Sequence, residues 1–231
     1  MRFLGCDISP NHSGFVLLDE EAHLLDVRFS HNMKTVVKAL SRRKVGGVRA
    51  QGHYIRKKRK REHYHEFQLS RHYETYRWFR TLIESLEPSH VAVEDYAFGQ
   101  GTSAYTIGEV SGLFRLIVYH SRIPFRLYTP GEIKIAAAGS GNATKSEVLA
   151  AARSRYGYDF GEFTHGSCDD VSFDLSDAFS IADLLRMEGL LRLGRVKLED
   201  LSEKMIRVFQ RTTRRSEVNI LGREWIIRKT E

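Results

Sequence analysis

Four carboxylates in this chain stand where an acidic side chain can do chemistry. Asp7 ends the apolar run Phe3-Leu4-Gly5-Cys6 within "LGCDISPNHSG", and Glu94 ends a second apolar run in "VAVEDYAFG". Asp174 and Asp177 lie three residues apart in "DLSDAFSIA", a spacing that puts both on one face of a helix. Each has an ordinary explanation. Turn formers end strands, and Asp favours helix starts through the macrodipole. Together, in a basic protein, they ask for a shared one. A phosphate-binding surface repels its own carboxylates unless divalent cations lie between them and the substrate. Oxygen donors without Cys or His select Mg²⁺, with Mn²⁺ as a substitute. Two such ions about 4 Å apart activate a water and stabilise the leaving oxygen in an in-line attack on a phosphodiester. No nucleophilic Ser or Cys is required.

The charge distribution fits such a substrate. The 231 residues carry a net charge of +7, and the excess is concentrated. Residues 34–71 hold thirteen Lys or Arg against Glu62 and Glu66, a net +11, so the remainder is slightly acidic. The densest part, "IRKKRKREHYHEF", contains Arg56, Lys57, Lys58, Arg59, Lys60 and Arg61. A basic block on a near-neutral body is the footprint of a nucleic-acid binder. A solvated helix face or a localisation tail is the plainer alternative. Interleaved His53, Tyr54, His63, Tyr64 and His65 add rings able to stack on bases. No stretch reaches the roughly 20 apolar residues of a membrane span. The N-terminus lacks the layout of a signal peptide. Cys6 and Cys168 have no metal or disulfide spacing. The expectation is a cytoplasmic protein with no membrane association.

The elements that must position the carboxylates read as follows. Residues 2–8, 13–19 and 23–30 form an antiparallel meander. Residues 34–53, with Gly46-Gly47 and Gly52 among charges, read as a flexible loop. Helical spacing of Leu69, Tyr73, Tyr76, Phe79, Ile83 and Leu86 predicts a helix over about 54–86, stopped by Pro88. A buried strand ending at Glu94 follows, then a helix over about 104–121 and a strand at "PFRLYTP". Thr129-Pro130-Gly131-Glu132 and Thr144-Lys145-Ser146-Glu147 are helix starts of capping-box type, and Gly157 ends the second. Asp174 opens a further helix that runs to Gly194, and the tail suggests a short helix and a hairpin at Gly222-Arg223. A meander followed by crossover units makes a mixed α/β sheet with helices on its faces.

Read in order, "LGCDISPNHSG", "VAVEDYAFG", "GEVSGLFRLIV", "GEIKIAAAGSGNATKSEV" and "DLSDAFSIA" resemble the successive motifs of RuvC-type Holliday junction resolvases, nucleases of the RNase H-like superfamily. The resemblance covers roughly residues 2–33 and 88–190. It implies an RNase H-like nuclease domain over 1–194, with 34–71 as a basic helical insertion and 195–231 as a C-terminal extension. It implies that Asp7, Glu94, Asp174 and Asp177 hold two Mg²⁺ ions in a Mg²⁺-dependent endodeoxyribonuclease. Lys145 then lies near the scissile phosphate, and Lys134 makes a further contact. Plain surface lysine is the alternative for both. Tyr96 or Phe98, in the loop after Glu94, corresponds to an aromatic that opens the junction centre. The partner implied is four-way DNA bound by a homodimer, with contacts around the helix Gly108–His120. A basic, extended member without helicase-docking sequence would suit a bacteriophage.

Three other readings share features with this one. The first stretch also resembles the phosphate loop of actin-like ATPases and sugar kinases, which need a second ATP-binding half. A nuclease of the same fold acting on a fork, flap, RNA–DNA hybrid or transposon end would use the same chemistry. A non-catalytic branched-DNA-binding module would gain by losing the acidic positions.

Overall fold

The computed structural model describes residues 1–95, 103–164 and 168–214. Three strands come first, β1 (Phe3–Ile8), β2 (His12–Leu18) and β3 (Leu24–His31). Helix α1 (Lys34–Leu40) and strands β4 (Lys44–Val45) and β5 (Val48–Tyr54) follow. Next come α2 (Tyr64–Leu86), β6 (His90–Glu94), α3 (Ser103–His120) and β7 (Phe125–Tyr128). The rest is helical: α4 (Pro130–Ala138), α5 (Lys145–Tyr156), α6 (Phe160–Thr164), α7 (Asp169–Arg192) and α8 (Glu203–Arg214).

The strands form one seven-stranded sheet in the order β4-β5-β3-β2-β1-β6-β7. β2 is antiparallel to β1 and β3, and β6, β7 and β5 join in parallel. β1, β3, β5, β6 and β7 therefore all point the same way. Ile8, His31, Tyr54, Glu94 and Tyr128 end them on a single edge, the carboxyl edge where open α/β sheets place their ligands.

The two faces of the sheet are covered differently. Leu4, Cys6, Phe15 and Leu17 pack against Phe79, Ile83, Val110 and Phe114 of α2 and α3. The opposite face carries Val16, Leu18, Val27 and Phe29 beneath α7, with Phe3, Ala92 and Tyr128 against Ile181 and Leu185. α7 is buried around most of its girth, as expected of a helix between a sheet and α4, α5 and α6. Two glycines let it lie directly on the strands. A Cβ on Gly5 would stand 2.1 Å from the Ala178 carbonyl oxygen, and one on Gly14 would stand 2.4 Å from that of Asp174.

The meander, β6, β7 and α3 lie within a residue or two of the sequence reading. Both capping boxes are present, Thr129 with Glu132 and Thr144 with Glu147, and Gly139 and Gly157 end their helices at positive φ. Three readings are corrected. Residues 34–53 are not a flexible loop. Gly46 and Gly47, at φ 53 and 83, form the two-residue turn of a hairpin, and β5 then pairs with β3 as a further strand. Residues 55–63 are not helical, because α2 begins at Tyr64, so the densest basic run lies ahead of the helix. Asp174 does not open α7, which starts five residues earlier with Asp169 and Asp170 in its first turn. In the tail, α8 docks through Val208 and Phe209 into the core cluster around Ile133 of α4. The hairpin expected at Gly222-Arg223 lies outside the described residues. Among the described residues no helix is long and apolar enough to cross a membrane.

Candidate functional site

Strand alternation and helix register bring the acidic residues together. In β1, Leu4, Cys6 and Ile8 face α2 and α3, so Asp7 faces α7. β6 is paired with β1 in parallel, Cys6 opposite Val93, and the next step sets Glu94 beside Asp7 on the same face. Above them passes the stretch of α7 seated on Gly14, which contains Asp174 and, one turn on, Asp177. Asp7, Glu94, Asp174 and Asp177 all line one open cleft at the carboxyl edge. Lys134 of α4 and Lys145, the first residue of α5, line it from the other side. All six are residues that the sequence singled out. Tyr96 and Phe98 lie outside the described residues.

Crowding of negative charge appears in the acidities. Burial pushes the Asp7 carboxyl well above the usual range, and Asp174, Glu94 and Asp177 add repulsion that Lys145 partly relieves. Glu94 is raised to about 7 by burial and then by Asp177, against the pull of Lys145 and Lys134. Asp177 is raised to about 6, again by burial first. These shifts mean that Asp7, Glu94 and Asp177 resist being ionised together at neutral pH.

His12, at the start of β2, is a cleft residue that the sequence reading missed. Its Nδ1 lies 2.6 Å from Asp174 Oδ2, a hydrogen bond that raises the imidazole pKa. A lone His in a polar turn has no motif spacing. The available signal was the antiparallel register, which pairs Ile8 with Ser13 and so sets His12 beside the end of β1.

The donor set fits a hard divalent cation. It is made of carboxylate oxygens, with one imidazole already committed to Asp174. Among the described residues, the one trio of possible ligands with all atoms within 4.8 Å of one another is Asp19, Glu21 and His23, on the turn after β2. That turn is closed by its own bonds. Asp19 Oδ1 accepts the amides of Glu21 and His23 at 3.0 and 2.7 Å, and Oδ2 meets His23 Nδ1 at 2.9 Å.

Stability of the metal-free protein should therefore depend on pH in a defined direction. A carboxyl whose folded pKa is raised stabilises the fold below its unfolded value near 4, and that contribution is lost as pH rises through 6 to 7. With chelator, the melting temperature is expected to fall between pH 5 and pH 8 by roughly 4–8 °C, for a loss on the order of 2 kcal/mol. Mg²⁺ should restore it at pH 8 and do little at pH 5. A flat profile in chelator, measured by differential scanning fluorimetry, would contradict the crowding of these groups.

The sheet order and the acidic cleft at its carboxyl edge define an α/β protein of the RNase H-like class. Residues 49–154 match the family model for Crossover junction endodeoxyribonuclease RuvC. The chain is 34% identical over 119 residues to the RuvC of Chlorobium phaeovibrioides, covering 50% of this chain and 59% of that one. It is 30% identical over 117 residues to that of Desulfitobacterium hafniense, covering 71% of the relative. Its fold matches the structure of T. thermophilus RuvC in complex with Holliday junction substrate, with a TM-score of 0.56 at 20% identity over 85% of this chain and 98% of that one. The chain belongs to the RuvC family. Glu94, Lys134, Lys145 and the run Arg56–Arg61 fall within the span matched by the family model, whereas Asp7, Asp174 and Asp177 fall outside it. That span also takes in the second half of the segment read from sequence as an insertion. Family membership sets aside the actin-like alternative.

Proposed function

We propose that this protein is a metal-dependent endonuclease that cuts phosphodiesters in branched DNA, four-way junctions above all, by paired nicks. The observation that carries the reading is the meeting of Asp7, Glu94, Asp174 and Asp177 in one cleft faced by Lys134 and Lys145. The four carboxylates that line the cleft would hold two Mg²⁺ ions, with Mn²⁺ able to substitute. When bound, such ions supply positive charge at the scissile phosphate and a water acidic enough to attack it.

The chain's own residues have distinct parts in this. The carboxylates anchor the cations and keep the phosphate from entering an unloaded site. Lys145, at the N-terminus of a helix with a complete capping box, is fixed to meet a non-bridging phosphate oxygen. Lys134 offers a second cationic contact from α4. His12 holds Asp174 in one orientation through its bond to Oδ2. Tyr96 or Phe98 would enter the junction centre. Two copies would pair through the outer face of α3, where Tyr105, Leu116 and Tyr119 are exposed, and so place two clefts on opposed strands. Residues 1–194 would form the nuclease domain and 195–231 an extension of it. Such an enzyme works in the cytoplasm of a bacterial cell, where branched DNA arises.

The test offers the purified protein end-labelled four-way, three-way, flap and linear DNA of equal length with Mg²⁺. The expected result is metal-dependent nicking of the four-way junction at symmetrical positions, with linear duplex left intact. Preference for a flap, fork or RNA–DNA hybrid would move the substrate and keep the chemistry. Binding without any cleavage would overturn the enzyme.

A further inference from the structure

The basic run between β5 and α2 is a built loop. Ile55 is buried, and its amide donates to the His31 carbonyl at 3.0 Å, so the chain leaves β5 at the carboxyl edge. Arg56 then folds back over the loop and α2, its side chain 19% exposed. Its Nη1 donates to Glu62 at 2.7 Å, its Nη2 bonds the Ser70 hydroxyl, and its guanidinium lies 4.9 Å over the Phe67 ring. The same Glu62 carboxylate accepts the Arg59 amide at 3.0 Å, while the Glu62 amide donates to the Arg59 carbonyl at 3.2 Å. The loop is thus closed on itself and clamped to α2. Phe67 also lies under a second guanidinium, Arg71, 5.9 Å away, which donates to the Pro10 carbonyl. Pro10 sits in the β1–β2 turn, between Ser9 and His12 of the cleft wall. A continuous set of contacts fixes the loop relative to the cleft.

Lys57, Lys58, Arg59, Lys60 and Arg61 all point outward and are exposed. We propose that residues 55–62 are a preformed grip for the phosphate backbone of a duplex arm running out of the cleft, with Arg56 and Glu62 as the positioning residues that hold its shape. Five consecutive cations repel one another, and a polyanion with regularly spaced charges is the partner that offsets this. A loop already in its bound shape loses less conformational freedom on contact. The inference rests on the proposed function only for where the arm comes from.

Two variants separate shape from charge. In Arg56→Gln/Glu62→Gln the net charge is unchanged and the clasp is gone. In the second, residues 57 to 61 are all changed to Gln. Binding to a four-way junction is measured in chelator across a salt series, with circular dichroism confirming that each variant is folded. The clasp variant is expected to bind about five- to tenfold more weakly with an unaltered salt slope. The five-residue variant should lose about two or more units of slope, at about 0.9 per phosphate released. An unchanged slope in that variant overturns the grip, and wild-type affinity in the clasp variant overturns the positioning role. Cleavage is read separately. A protein that nicks junctions but keeps its slope loses the grip alone, whereas one that loses slope yet never nicks DNA loses the proposed function alone.

Discussion

Asp7→Asn is expected to lower Mg²⁺-dependent cleavage of a four-way junction by at least about a thousandfold, roughly 4 kcal/mol of transition-state stabilisation. Junction binding should persist. The size follows from the position of the side chain. Asp7 lies at the end of a central strand and interacts with Asp174, Glu94, Asp177 and Lys145. The amide keeps the shape and removes the charge, so the folded state should not suffer. In chelator it should gain, because a carboxylate whose charge is disfavoured by burial and then by its acidic neighbours has been neutralised, and the melting temperature of Asp7→Asn should exceed that of wild type at pH 8. Higher stability, retained binding and lost cleavage together have no explanation in a misfolded variant. A fully active Asp7→Asn protein would remove Asp7 from the chemistry, and with it the reading of the cleft.

Much of this was legible in the sequence because the signals are local. The meander is written in short apolar runs separated by turn formers, and both capping boxes place Thr three residues before Glu. The acidic residues could be nominated singly, but nothing in their spacing states that β1, β6 and α7 meet. What was missed was encoded in contacts between distant segments. β5 was hidden because Val48-Arg49-Ala50-Gln51-Gly52 offers little apolar bulk, and its Gly46-Gly47 turn, set amid basic residues, reads as looseness. Gly52 looked like another breaker. It is there because a Cβ would stand 2.5 Å from the Phe29 ring of the neighbouring strand. The start of α7 was misplaced because a helix buried on most sides has no clean amphipathic stripe to locate its first turn. Arg56 was grouped with its five basic neighbours, since composition does not distinguish a guanidinium turned onto Phe67 and Glu62 from one in solvent.

The same interlocking makes the glycines under α7 the most sensitive positions outside the cleft. Gly5→Ala would place a methyl 2.1 Å from the Ala178 carbonyl oxygen and 2.4 Å from the Ala182 nitrogen. Both are helix backbone, which cannot rotate aside, so the helix must lift off the sheet. The expected cost is about 3 kcal/mol or more, at the upper end for overpacking a core. The melting temperature should fall by roughly 6–12 °C. Gly14→Ala meets the carbonyl of Asp174 at 2.4 Å, five residues into α7 and nearer its free end than Ala178. A helix end can yield more readily than its middle, and the residue displaced would be Asp174 of the acidic cleft. Gly14→Ala is therefore expected to lose less stability than Gly5→Ala and more activity, about a hundredfold for a displacement near 1 Å. It should also bind Mg²⁺ more weakly, as read by the concentration needed to restore stability at pH 8. Parallel losses of activity and stability in the two variants would show that α7 moves as a rigid whole. A Gly14→Ala protein with normal cleavage would show that Asp174 is not held in place by contact with β2.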